Sequence, residues 1–325
     1  MQTNRREFMA LSAGALMLGL PGAARAQQLD KPVRIIVAYA AGGASDTIAR
    51  YVAEKITQKV GHPVIVENRP GADGNIAAEA VARASADNSY TLLVSGVSTH
   101  AANASIYKKL PFDPERDFTP MTTLMSSPYL MVINPQRVKV TTLREFVASA
   151  KAESKDLSFA SANVGGRVAG ERFRALAQIQ AVNVPYKSSP QAMTDLLGGQ
   201  FDFYFCDTVT ALPQIQAGKI VALGVSVRNR MSMLPNVPAI AESGYPDFDV
   251  SSWISMWSAA SVPVDVSNRL AEWVNSALDN PQGRDFITSK GQLPFPGSPS
   301  QLRALQRRDT VEWGNIIRSA GMQQP

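Results

Sequence analysis

From Val33 onward the chain repeats one unit: a short β-rich run, a joint of small residues, then an apolar stripe at helical spacing. In its first instance the run Val33 to Tyr39 ends at Gly42-Gly43, and Ile48, Val52, Ile56 and Val60 then recur every fourth residue. Gly61 stops that helix, Val64-Ile65-Val66 reads as the next strand, Asn75 to Ala86 as the next helix, and Thr91 to Val94 as a third strand. Strands and helices alternating across joints this short predict a parallel sheet covered on both faces.

A second cycle follows. Tyr129 to Ile133 reads as a strand, and Thr142 with Glu145 makes a capping box for a helix ending near Lys151. Leu157 to Ala160, Val182 to Val184, Phe201 to Phe205 and Ile220 to Val227 read as strands, with helices over Arg167 to Leu176 and Gln191 to Leu197 between them. Beyond the proline-rich stretch Leu234 to Pro246, a strand at Trp253 to Ala260 precedes helices at Val266 to Leu278 and Gln301 to Ala320. Two such cycles predict an α/β protein of two doubly wound α/β lobes, a periplasmic-binding-protein-like clamshell with a central ligand cleft. The expected lobes are residues 27–127 with 250–325, and residues 128–249. Hinges are expected near Ser126-Ser127-Pro128 and Asp249-Val250-Ser251. Fold alone carries no function.

The amino terminus places the chain outside the cytoplasm. Arg5-Arg6-Glu7-Phe8 precedes an apolar run from Leu11 to Leu20, and Ala24-Arg25-Ala26 closes the segment. That is the layout of a secretory signal peptide over residues 1–26, too short to anchor the chain in a membrane. The paired arginines resemble the twin-arginine export signal; a Sec leader that happens to hold two arginines is the alternative. Cleavage after Ala26 removes three arginines and a glutamate, so formal charge falls from +5 to +3. The remaining Lys and Arg residues are scattered, without the basic stripe that nucleic acid requires. No later stretch has the length of apolar residues for a membrane span, so no direct membrane insertion is expected after cleavage. Cys206 is the only cysteine, which rules out an intrachain disulfide and reads as a buried thiol at a strand end.

Chemistry is expected where strands give way to helices, because open α/β sheets bind ligands beyond the carboxyl ends of their strands. The first joint holds Tyr39, Ala41, Gly42, Gly43, Ala44, Ser45 and Asp46. Its small residues let backbone N–H groups approach an anion beside the positive end of a helix. The alternative is a plain turn with Ser45 or Asp46 capping the helix. A second joint offers Ser95, Ser98 and Thr99. A third, Asn163, Val164, Gly165, Gly166 and Arg167, joins a glycine pair to a guanidinium that can grip a carboxylate bidentately. Tyr186, Cys206 and Asp207 end further strands of the second lobe, and Tyr39, Tyr129 and Trp253 are candidate ring surfaces.

Catalytic patterns are missing. The chain has two histidines, His62 and His100, and no H-E-x-x-H, C-x-x-C or G-x-S-x-G. The loops are neither a Walker nor a dinucleotide fingerprint, and no cofactor or metal is expected. An exported hydrolase using His100 with Ser98 is the remaining enzymatic alternative.

Between Lys31 and Gln323 the chain resembles the substrate-binding proteins of tripartite tricarboxylate transporters, the Bug receptors. The resemblance rests on Lys31-Pro32-Val33-Arg34-Ile35-Ile36-Val37, Gly42-Gly43-Ala44-Ser45-Asp46 and Val66-Glu67-Asn68-Arg69-Pro70-Gly71-Ala72-Asp73-Gly74-Asn75. It continues through Tyr107 to Pro114, Val184-Pro185-Tyr186-Lys187, Leu196 to Gln200, Leu234 to Pro238 and Ser251-Ser252-Trp253. It implies a periplasmic, monomeric, non-enzymatic receptor whose lobes close on a small carboxylate and present it to membrane permease subunits. A sensor kinase reading the same loaded receptor is the alternative. In such proteins the loops matching Tyr39 to Asp46 and Asn163 to Arg167 hold one carboxylate, and those matching Ser98, Thr99, Tyr186 and Cys206 to Thr208 select the rest. Three departures stand out: Ala41 replaces a proline, Gly166-Arg167 replace Ser and His, and Cys206 stands where an aspartate is common. Losing that acid while gaining Arg167 points away from amino acids and towards a dicarboxylate, with an aromatic one left open.

Overall fold

The structure is a computed structural model that describes residues 29–152 and 157–323. The leader inferred for residues 1–26 lies outside the described residues.

The first cycle folds as its pattern predicts. Strand β1 (Val33–Val37), helix α1 (Ala44–Val60), β2 (Ile65–Asn68), α2 (Asn75–Ala82) and β3 (Tyr90–Gly96) follow in order. Both β2 and β3 pair with β1 in parallel, through Ile35↔Val66 and Ile35↔Leu92. The predicted stripe Ile48, Val52, Ile56 and Val60 is buried on this sheet. Gly61 closes α1 in the left-handed region at φ 78°, which glycine adopts without cost. After β3 a π-helical turn, Ser98–Ala102, leads into the short α3 (Asn103–Ile106).

Strand β4 (Phe118–Ile133) departs from the sequence reading, which places a strand only at Tyr129 to Ile133. Pro120 and Pro128 break up the apparent run, since proline cannot donate to a ladder. The chain accommodates them with register shifts between Pro120 and Thr122 and between Thr123 and Met125. The remaining elements are α4 (Leu143–Ala152), β5 (Leu157–Ser161), α5 (Val164–Ala177), β6 (Ala181–Pro185), α6 (Ser189–Leu197), β7 (Phe203–Asp207), α7 (Thr208–Gln216) and β8 (Val221–Val225). They are followed by β9 (Ser251–Ala259), α8 (Val264–Leu278), α9 (Pro281–Ser289), β10 (Leu293–Pro294) and α10 (Pro299–Ser319).

Two lobes result, and β4 runs through both. Its first part pairs antiparallel with β9 from Phe118↔Ala259 to Pro128↔Ser251. Its last part pairs with β7 through Tyr129↔Asp207 and with β8 through Leu130↔Val225. The sheets are therefore mixed: β1–β2–β3 and β5–β6–β7 contribute parallel pairs, while β4 and β9 run against their neighbours. The Thr142–Glu145 capping box forms, with the Glu145 amide donating to Thr142 Oγ1 at 3.2 Å and the Thr142 amide to Glu145 Oε2 at 3.1 Å. Phe159, Phe173, Phe203, Phe205 and Phe248 make an aromatic core for the second lobe, Phe159 stacking on Phe203 at 5.3 Å. Helices α7 and α9 escape sequence reading because each is short and interrupted, α7 by Pro213 and α9 by Gly283.

Candidate functional site

The β1–α1 joint is held by side chains that it does not itself display. Asp46, buried in the first turn of α1, accepts from the Gly42 amide at 2.9 Å and from Arg50 Nε at 3.0 Å. Arg50 also donates to Asn68 Oδ1 at 3.2 Å, and Asn68 Nδ2 donates to the Tyr39 carbonyl at 3.1 Å. Burial pushes the Asp46 carboxyl up, but Arg50 and the Gly42 amide outweigh it and hold the group below its ordinary range. Asp46 thus braces the loop without capping the helix, whose N-cap is Gly43 and has no side-chain bond, so neither Ser45 nor Asp46 plays the capping role. Ser45 is buried beside it, and Ala41, Gly42 and Gly43 are left exposed with Ala44 half-buried. Gly42 needs its glycine: the backbone there sits at φ 80°.

Tyr39 turns its hydroxyl inward. Burial pushes the phenol up to about 12, with hydrogen bonding to Thr99 and Ser98 working against the shift and the Asp73 carboxylate adding to it. A side chain at Gly96 would press to 2.9 Å from the Tyr39 hydroxyl and 2.6 Å from the Trp253 carbonyl, so β3 must be bare there. Thr99 Oγ1 donates to the Asp73 carbonyl at 3.3 Å, as does Asn103 Nδ2 at 3.2 Å. That carbonyl belongs to Gly71-Ala72-Asp73-Gly74, which runs through positive φ at all four positions. The sequence reading gave this segment no part in the site; its Pro-Gly-Ala-Asp-Gly composition was the available signal for an unusual turn.

Ser95 and His100 form a pair of their own. Ser95 Oγ lies 3.0 Å from His100 Nδ1, and both residues are buried. The imidazole stacks on Trp257 at 4.0 Å, and burial together with the nearby Arg303 pushes it down to about 3. The hydrolase alternative requires His100 to serve Ser98 as a base. Its Nδ1 is instead engaged by Ser95, in a ring sealed from solvent.

In the second lobe, Val164, Gly165, Gly166 and Arg167 are the first turn of α5 and not a loop. Asn163 caps it, Oδ1 accepting from the Gly166 amide at 2.8 Å and from the Tyr129 hydroxyl at 3.2 Å. The glycine pair has a steric cause: a Cβ on Gly165 would intrude on the Tyr129 hydroxyl, and one on Gly166 would come to 2.9 Å from the Phe205 carbonyl. Arg167 is half-buried, and its Nε is buried without a hydrogen-bond partner.

Other expected contributors are committed elsewhere. Asp207 caps α7, accepting from the Thr210 amide at 2.9 Å and from Thr210 Oγ1 at 3.2 Å. Cys206 is packed among Leu130, Val132 and Tyr204, and burial raises its thiol well above the ordinary range. The Tyr186 hydroxyl donates to Asp195 at 2.8 Å, and burial first, then Asp195, push it up to about 12. Trp253 is buried with Nε1 donating to Asp309 at 2.7 Å, so it presents no ring surface to a ligand.

Where the lobes meet, burial pushes the Tyr129 phenol up, hydrogen bonding to Ser252 works against the shift, and Asp207 and Tyr39 add to it. Arg172 on α5 reaches Glu312 on α10 at 2.7 Å, and Thr208 Oγ1 donates to the Gly291 carbonyl at 2.6 Å. A cavity of about 360 Å³ opens beside Gly42 and Ala44, walled by α7 and α9, which the sequence reading did not connect with the site. Among the described residues, no cluster of His, Cys, Asp and Glu could hold a metal ion, and no helix is long and apolar enough to cross a membrane.

Two α/β lobes joined through a shared strand, with helix starts and small-residue joints at their meeting edge, define the class of two-lobed solute-binding proteins. Residues 48–322 match the model of the tripartite tricarboxylate transporter family receptor, and the chain belongs to that family. It is 31% identical over 313 residues to the "UPF0065 protein in tcbD-tcbE intergenic region" of Pseudomonas sp. (strain P51), covering 94% of this chain and 92% of that one. Among solved structures it is similar to "R. palustris Rpa4515 with adipate", with TM-score 0.81 and 27% identity over 90% of this chain and 98% of that chain. It is also similar to "MatC (Rpa3494) from Rhodopseudomonas palustris with bound malate", with TM-score 0.75 and 29% identity over 89% of this chain and 99% of that chain.

Proposed function

We propose that this protein is a periplasmic receptor that closes on a small dicarboxylate and delivers it to membrane permease subunits as a monomer, without catalysis. The observation that carries this reading is Arg167, whose buried Nε has no partner at the start of α5. A buried guanidinium N–H without an acceptor is costly, and a carboxylate is the group that would satisfy it. The exposed turn at the head of α1, where Asp46 takes the Gly42 amide and leaves the Gly43 and Ala44 amides to the first helical turn, supplies a second anion-friendly surface. The two structural relatives hold adipate and malate, both dicarboxylates.

In this mechanism residues 27–127 with 250–325 form one lobe and 128–249 the other, and they rock about Ser126 to Pro128 and Asp249 to Ser251. One acid of the ligand docks on Gly42-Gly43-Ala44. Closure then brings up α5 with Arg167 for the second acid, and the ligand shifts the population to the closed form. Replacing Arg167 by Ala weakens dicarboxylate binding by about 1.5–3 kcal/mol, the range for hydrogen bonds to charged groups. Calorimetric titration of wild type and Arg167→Ala with malate and adipate tests it; equal affinities remove Arg167 from the site.

A further inference from the structure

We infer that the cavity beside Gly42 takes the apolar body of the ligand, so that the receptor favours carboxylates with a hydrophobic chain or ring over short polar diacids. This rests on the proposed binding of a carboxylate at the β1–α1 joint. The cavity shares Gly42 and Ala44 with that joint, which makes it an extension of the same cleft. Its volume of about 360 Å³ falls within the range of small-molecule sites, which are mostly apolar with a few polar groups.

Both lobes build its walls. Val209 and Leu212 come from α7, Met125 from β4, and Phe286 and Ile287 from α9. Val209 is left 48% exposed, an apolar surface that no packing within the protein uses. The opposite wall is fixed in advance: Phe286 stacks on Tyr51 of α1 at 4.2 Å, and Ile287 is fully buried. Gln292 Nε2 donates to Thr208 Oγ1 at 3.0 Å, so the start of α7 is fastened to the turn after α9. The polar groups at the rim include Ser289 and Lys290, the ammonium lying 5.9 Å from the Phe286 ring centroid. A short diacid that is polar throughout leaves Val209, Leu212 and Phe286 in water, whereas a longer chain or a ring covers them.

The test is a titration series with succinate, adipate, suberate and phenylacetate against the full mature protein, Val209→Asn and Leu212→Phe, with thermal melts confirming that each variant is folded. Binding should tighten along the dicarboxylate series by about fourfold per buried methylene. In both variants, one adding a polar group and the other filling the space, the ratio of suberate to succinate affinity should collapse towards one. Affinity independent of chain length, or a ratio that both variants leave intact, overturns the apolar pocket while leaving the carboxylate receptor standing. No binding of any of these acids by the wild type overturns both.

Discussion

The Tyr129 hydroxyl donates to Asn163 Oδ1 at 3.2 Å, the same oxygen that caps the Gly166 amide at 2.8 Å. A residue of the shared strand β4 therefore sets the position of the first turn of α5, and the turn must be bare to receive it. Replacing Gly165 by Ala drives a methyl into the phenol and should cost about 1–3 kcal/mol of stability, the usual range for overpacking. Adding Tyr129→Phe should recover only part of the loss, because the ring carbon bearing the hydroxyl would still lie 2.8 Å from the new Cβ. Chemical denaturation of the single and double variants checks this, and an unchanged midpoint for Gly165→Ala would contradict it.

Affinity should track Arg167. Calorimetry on Arg167→Ala is expected to show dicarboxylate binding about ten- to a hundredfold weaker. Arg167→Lys should recover little of it, since an ammonium cannot reproduce the planar fork.

The bridge between Arg172 and Glu312 joins α5 to α10 across the lobes, with side chains 21% and 44% exposed. Solvent limits such a pair to about 1 kcal/mol. Glu312→Gln should therefore enlarge the radius of gyration of the ligand-free protein in X-ray scattering and reduce affinity by about fivefold or less. An unaltered scattering profile would show that the pair plays no part in closure.

Acid should destabilise the fold through His100. Its folded value, pushed down to about 3, lies below the ordinary 6.5. The unfolded chain thus binds a proton that the folded chain refuses, and stability falls as pH drops from 6.5 towards 3. His100→Gln, which does not titrate and can still bond Ser95, should flatten part of the decline of urea stability between pH 6.5 and 4. The same slope in both proteins would place the acid sensitivity elsewhere.

Cys206 should be silent to thiol reagents in the native protein. It is fully buried and its thiol is held protonated, and thiolate is the reactive form. Reaction with a chromogenic disulfide should appear only above the unfolding midpoint. Rapid labelling of the folded protein would contradict the packing of β7 described above.

The sequence by itself determined the elements whose signals are local. The stripe Ile48 to Val60 needs only its own spacing to define α1, and Gly42 and Gly61 stand at turns where the backbone demands positive φ. The Thr142–Glu145 box is likewise contained in one turn. The first joint was legible for the same reason, as were the alternation of strand and helix and hence the two lobes. Tertiary structure decided what depends on residues far apart along the chain. Pro120 and Pro128 hide most of β4 until β9 supplies the register that absorbs them. Gly165 and Gly166, read as a loop baring its backbone, are a helical turn cleared for Tyr129 and Phe205. Asp46 looks outward in the sequence and is drawn in by Arg50 and Gly42, while Asp73 reaches Tyr39 and Thr99 only once β1 and β3 lie side by side. The cavity between α7 and α9 has no motif at all. Its apolar side chains lie together only when the two lobes bring Val209 and Phe286 to the same side of Gly42.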